Sequence, residues 1–211
     1  LGASLSAPAM ASTIVAFNTT LGSFNVSLDD AVASATVANF LQYVQSGAYS
    51  GTVVHRSVPG FVIQGGGFNA DFSALATMAP IAYEQGLSNV RGTLAMARTS
   101  DLNSATSQWF INTANNLSLD PAKYAAFGTV LGEGMKVVDA IAALPIYNLS
   151  NFAGGLFTDV PLHDVGSATT FSSSFFVTVQ SVQVVPEPQT WTLMVSGLLA
   201  LGMLTGRARR R

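Results

Sequence analysis

The chain has 211 residues, no cysteine, only 9% charged residues and a formal net charge of −2. Lack of cysteine excludes disulfides, thiolate catalysis and Cys-based zinc sites, and His55 and His163 have no second histidine at ligand spacing, which argues against a metal. Over residues 1–185 five basic residues stand against ten acids, an acidic body that would repel phosphate backbones and makes nucleic acid an unsuitable partner.

The chain opens on "LGASLSAPAMA", where Ala9 and Ala11 fit the Ala-x-Ala pattern of a signal cleavage site. A signal-peptide remnant over 1–11 is the expectation; an Ala/Ser-rich leader is the alternative. "IVAFNTTLGSFNVSLDD" then reads as two short strands about Thr19-Thr20-Leu21-Gly22. Phe24, Val26 and Leu28 alternate with Ser23, Asn25 and Ser27, the period-two pattern of a half-buried strand. From Ala31 to Val44 the period changes. Val37, Phe40, Leu41 and Val44 follow helical spacing, with Gly47 as a stop.

The segment "VVHRSVPGFVIQGGGF", Val53 to Phe68, places one arginine among apolar residues and glycines. A guanidinium stays charged, so burying Arg56 without a partner is costly. Either it points outward, or it is held at a cleft. Beyond it come short apolar strands, then a second helix from about Glu133 to Leu144, with Val137, Ile141 and Leu144 on one stripe and Pro145 ending it. Residues 147–173 form a polar, Gly-rich excursion longer than an ordinary connection. "SFFVTVQSVQVV", Ser174 to Val185, supplies a last strand. Mostly strands, with one helix near each end, predict a closed antiparallel barrel with two covering helices over 12–185.

The end, "VPEPQTWTLMVSGLLALGMLTGRARRR", holds Pro186-Glu187-Pro188, an apolar run from Trp191 and four of the nine basic residues. Sixteen residues, Trp191 to Gly206, make about 24 Å of helix, short of a hydrocarbon core of ~30 Å. This order of features over 186–211 resembles the PEP-CTERM sorting signal. The resemblance implies export to the periplasm, cell surface or medium, transient anchoring, and cleavage by an exosortase-type membrane protease. A plain C-terminal anchor is the alternative.

Two blocks stand out. The first is His55-Arg56-Ser57-Val58-Pro59-Gly60-Phe61-Val62-Ile63-Gln64-Gly65-Gly66. The second is "RGTLAMARTSDLNSATSQWFIN", Arg91 to Asn112, followed by Leu119-Asp120 and "YAAFGTV" from Tyr124. Together they resemble the cyclophilin-type peptidyl-prolyl cis–trans isomerases, particularly the bacterial branch, over about Thr13 to Val185. The resemblance implies eight strands in the barrel, a monomer, no cofactor, and proline-containing segments of unfolded or exported proteins as substrates. It makes Arg56 the catalytic arginine, acting with Phe61, Gln64 and Phe110. It puts Phe61, Met96, Phe110 and Leu119 around the substrate proline, with Gln64 and Gln108 as polar neighbours. Arg98 sits where the family uses its backbone N–H and C=O to hold the substrate chain, Ala97 precedes it as a further substrate-binding residue, and Tyr124 takes a substrate-binding position that is often Tyr in bacterial members. A peptide-binding or matrix module without catalysis, on the same barrel, is the alternative.

The chemistry suits this residue set. An X–Pro bond rotates over a barrier of ~18–20 kcal/mol, because the amide C–N bond has partial double-bond character. In the twisted state the proline nitrogen becomes pyramidal and gains a lone pair. A guanidinium aimed there donates a hydrogen bond that the planar amide does not accept, so it lowers the barrier. No nucleophile, proton shuttle or metal is required. Four departures accompany the resemblance: Ser118 stands where many members carry a cyclosporin-binding tryptophan, Gly67 replaces a common acid, Trp109 replaces a phenylalanine, and one residue is inserted between Asp120 and Phe127.

Overall fold

The computed structural model describes residues 12–186. The signal remnant, nearly all of the sorting signal and its apolar run lie outside the described residues. The strands are β1 (Ile14–Thr19), β2 (Gly22–Leu28), β3 (Arg56–Val58), β4 (Val62–Gly65), β5 (Thr93–Met96), β6 (Trp109–Asn112), β7 (Ala126–Val130), β8 (Ile146–Tyr147), β9 (Val160–Pro161) and β10 (Val179–Val184). The α-helices are α1 (Ser34–Gln45), α2 (Gly134–Ala142) and the single turn α3 (Ser150–Ala153).

The β1–β2 hairpin forms where period-two alternation meets a polar turn. The Thr19 hydroxyl donates to the Gly22 carbonyl at 2.7 Å and accepts from Leu21 N–H, closing the turn. Val15, Phe17, Phe24 and Val26 then face inward and are buried. Helix α1 lays Val37, Phe40 and Val44 on this layer, and Phe40 packs on Phe17 and Phe127. Each such side chain contributes about 1.5–3 kcal/mol on burial. The helix starts three residues later than its periodicity predicts, because Asp29 holds Ala31–Ala33 in a turn through Val32 and Ala33 N–H. One free N–H of its first turn goes to Glu84, which accepts from Thr36 N–H at 3.0 Å. In α2 only Val138 and Ile141 are buried, while Val137 and Leu144 pack against the core from its margin.

Eight strands make one antiparallel sheet in the order β10-β1-β2-β7-β5-β6-β4-β3. The fold is mainly β with a few helices, but the expected closed barrel is corrected: β3 and β10, the two edges, are not paired. The edge of β3 is taken by the excursion, whose Asp159 carbonyl accepts from Ser57 N–H at 2.7 Å. The seam is drawn together by irregular chain, with Val54 N–H on the Val177 carbonyl and Val179 N–H on the Thr52 carbonyl. The excursion is also less polar than its composition predicts. Its β8–β9 pair and Leu149, Phe157, Val160 and Leu162 build a second core with Val53, Phe68 and Phe176. Among the described residues no helix is long and apolar enough to cross a membrane.

Candidate active site

Strand register lays the site across the sheet. Arg56 on β3 is opposite Gln64 on β4, Gln64 opposite Phe110 on β6, Phe110 opposite Ala95 on β5, and Ala95 opposite Ala126 on β7. Directly opposed residues point to the same face, so one transverse row runs from a cation, through an amide, to an aromatic ring and two small residues. Alternation within each strand adds Val62, two before Gln64, and Ala97, two after Ala95. The intervening Ile63, Leu94 and Met96 face the barrel core.

Around this row lies a cavity of about 280 Å³, lined by Arg56, Phe61, Val62, Gln64, Ala97, Arg98, Phe110, Leu119 and Tyr124. Its size suits one side chain rather than a large cofactor. A larger depression of about 440 Å³ around Asp29 and Asp30 contains none of the candidate residues. Met96 and Gln108 are the two candidate residues that the lining lacks. Met96 was expected beside the proline, but its parity on β5 turns it inward, where it is buried near Trp109. Val62 takes the place in the lining that was assigned to Met96. The signal for it was present in the sequence, since Val62 shares strand parity with Gln64. Gln108 stands just outside the lining and accepts from Gln64 Nε2 at 2.8 Å.

The two arginines differ in what they hold. Arg98 is spent: its guanidinium donates to the carbonyls of Thr99, Ala122 and Lys123 and sits 4.5 Å over the Tyr124 ring. It thereby presses Tyr124 edge-on to Phe110, ring centroids 5.9 Å apart. The backbone N–H and C=O of Arg98 have no partner among the described residues. Arg56 makes one long bond, Nη1 to Gln64 Oε1 at 3.3 Å, and no carboxylate among the described residues pairs with it. Most of its five donors are free. The lining contains no acid, histidine or hydroxyl nucleophile other than the Tyr124 phenol. Such a lining can hold a neutral acceptor and offer it a charged donor.

Behind the row, His55 is buried against Phe68 and Phe157. Burial pushes its imidazole down to about 4, and the Arg56 charge adds to this, against opposing pulls from Val53 and Gln108. It is neutral at pH 7. The glycines after Gln64 allow close approach. A Cβ on Gly66 would lie 2.7 Å from the Trp109 indole, and one on Gly67 2.7 Å from Gln108 Cδ. Gly67 thus makes room for Gln108, and Trp109 fills the space over Gly65 and Gly66. Among the described residues no cluster of three or more metal-ligating side chains occurs.

Residues 14–165 match the family model described as cyclophilin type peptidyl-prolyl cis-trans isomerase/CLD. The chain belongs to the cyclophilin-type peptidyl-prolyl isomerases. This cyclophilin is 46% identical to peptidyl-prolyl cis-trans isomerase A of Dickeya dadantii over 150 residues, 68% of this chain and 78% of that one. It is 42% identical to isomerase B of Escherichia coli over 161 residues, 72% of this chain and 94% of the relative. Its fold is similar to a crystal structure of a Cryptosporidium parvum cyclophilin, with TM-score 0.63 and 20% identity over 84% of this chain and 99% of that one. The same Cryptosporidium protein was also solved in the presence of the dipeptide Ala-Pro, with TM-score 0.62 and 20% identity, covering 82% of this chain and 99% of that chain.

Proposed function

We propose that this cyclophilin accelerates X–Pro rotation by donating a hydrogen bond from Arg56 to the pyramidal proline nitrogen. The proline ring rests on Phe61, Val62, Phe110 and Leu119. The observation that carries the reading is the contrast between the two arginines. Arg98 has each of its three guanidinium nitrogens engaged by a carbonyl, whereas Arg56 keeps a charged fork largely free at the rim of an apolar floor. Gln64 steadies that fork and is itself steadied by Gln108. The substrate chain runs along the unpaired N–H and C=O of Arg98, which fixes the residue before proline while the far side of the bond turns. Uncatalysed exchange takes tens to hundreds of seconds at 25 °C. Exchange cross-peaks between cis and trans forms of an Ala-Pro peptide, appearing at a small molar fraction of protein, test the reading. Their absence with Arg56 intact would favour a binding module instead.

Export, with the tail as a sorting signal cut near Pro186-Glu187-Pro188, is part of the same proposal. It rests on the order of Pro-Glu-Pro, apolar run and arginines. Clients would then be proline-containing segments of exported proteins. Intact-mass spectrometry on envelope and medium fractions of an expressing host tests it, and a species retaining Trp191 to Arg211 in both would favour a plain anchor.

A further inference from the structure

Three residues of the cavity wall, Phe61, Leu119 and Tyr124, are not held by the sheet. Leu119 belongs to a 3-10 turn, Leu117–Leu119; Phe61 follows the turn after β3, and Tyr124 precedes β7. What fixes them is a buried polar cluster on the other side of their backbone. Asn89, fully buried, uses every hydrogen-bonding group it has. Its Nδ2 donates to Asp120 Oδ1 at 2.9 Å and to the Tyr124 carbonyl at 3.0 Å. Its Oδ1 accepts from Asn112 Nδ2 at 3.1 Å. Its backbone N–H donates to Asp120 Oδ1, and its carbonyl accepts from Asn116 N–H, both at 2.8 Å.

Asn116 and Asp120 bracket the turn that carries Leu119, so Asn89 grips both ends of that turn at once. Asn116 extends the grip. Its Nδ2 donates to the Phe61 carbonyl at 2.8 Å and to Asn112 Oδ1 at 2.7 Å. Tyr124 N–H in turn donates to the Leu119 carbonyl at 3.1 Å. The Asp120 carboxyl is charged here: burial alone would raise it, but Asn89 and the Ser88 hydroxyl outweigh this and hold it low. No atom of Asn89 lines the cavity.

We propose that Asn89 is a positioning residue, setting the width of the proline pocket from behind by holding Phe61, Leu119 and Tyr124 in register. The proposal rests on the reading of this cavity as the proline pocket. Arg56 and Gln64 stand on β3 and β4, outside the cluster, so loosening the cluster weakens binding of ground and transition states alike and leaves the chemical step in place. Such a change raises KM and spares kcat.

The test is steady-state isomerase kinetics on the purified full chain, with folding followed by near-ultraviolet circular dichroism. Asn89→Ala should raise KM about tenfold or more, as expected for about 1.4 kcal/mol of lost binding, with kcat within about threefold of wild type. Asn89→Asp, which loses both side-chain donors and faces the Asp120 carboxylate, should do at least as much. The exchange Asn89→Asp with Asp120→Asn restores one donor–acceptor pair between the two positions and should recover part of the loss. A role in stability alone would recover in unfolding temperature with that exchange and leave KM unmoved. If Asn89→Ala does not fold, Asp120→Ala, which removes the acceptor of both the Asn89 N–H and Nδ2 bonds, reads the same split. Folded variants with KM within twofold of wild type overturn the proposal. Phe61→Ala separates the two levels: if it also leaves KM unchanged, the pocket reading itself is wrong, whereas if it raises KM while the Asn89 variants do not, only the role of Asn89 falls.

Discussion

Replacing Arg56 with alanine separates the chemistry from the fold. In the free protein the side chain is half-buried and makes a single 3.3 Å hydrogen bond, with no ion pair among the described residues. A bond of that length is at the weak end, so deleting it removes less than ~1 kcal/mol of stability. Backbone pairing of Ser57 with Ile63 is untouched. The transition state loses more. A hydrogen bond from a charged donor contributes about 1.5–3 kcal/mol, which corresponds to roughly 13- to 150-fold in rate. The free donors of Arg56 argue for the upper half of that range, because no existing partner is surrendered when substrate binds. Arg56→Lys should fall nearly as far, since an ammonium lacks the planar fork that Gln64 aligns. The assay is isomerisation of an X–Pro peptide at about 10 °C, where the uncatalysed rate is slow, with thermal unfolding as control. An Arg56→Ala protein that unfolds at the wild-type temperature and retains more than a third of wild-type kcat/KM would refute the reasoning.

Other expectations follow from the same geometry. His55 titrates near 4 when folded and near 6.5 when unfolded, so the unfolded chain takes up its proton first as pH falls. Stability is therefore intact above about pH 6.5 and is lost between there and about 4, by roughly 3 kcal/mol. Urea midpoints from pH 7 to 4 should show this slope, and His55→Gln should flatten it. Gly67→Ala should displace Gln108 and unseat Gln64, lowering kcat/KM about three- to tenfold with little change in melting temperature; an unchanged rate would mean that Gln108 is a bystander. Ser118 is exposed in the turn bearing Leu119, so cyclosporin should bind weakly and Ser118→Trp should tighten it, as read by titration calorimetry.

Strand parity explains what the sequence revealed and what it hid. The hairpin and both long helices were legible because one face of each meets a single layer. Phe24, Val26 and Leu28, or Val37, Phe40 and Val44, then carry a clean period. Arg56, Gln64 and Phe110 were legible as a motif, and the sheet supplies the reason, since register sets them in one row. Met96 misled because all four residues of β5 are buried, Leu94 and Met96 against the core and Ala95 under the site. In such a strand hydrophobicity no longer tells the faces apart, and parity counted from Gln64 or Phe110 must do it. The second core in the excursion was hidden for another reason. Phe157, Phe171 and Phe176 are spaced without a period, and they meet only because the chain folds back over Val53 and Phe68. The open seam depends on that same return, through a backbone bond from Ser57 to Asp159 that no side chain announces.

The pairing of β1 with β10 brings residues from the two extremes of the domain into contact. Val15 is opposite Val184, and Val185 N–H donates to the Ile14 carbonyl at 2.8 Å. Whatever is joined before residue 12 or after residue 186 therefore leaves from one spot, and neither strand lines the cavity. Both points of attachment thus lie away from the residues that line the pocket. The same closeness makes the domain suited to circular permutation: a short linker across Ser12 and Pro186, with new ends cut in an exposed loop, would keep every strand partner and move the attachment point wherever an engineer wants it.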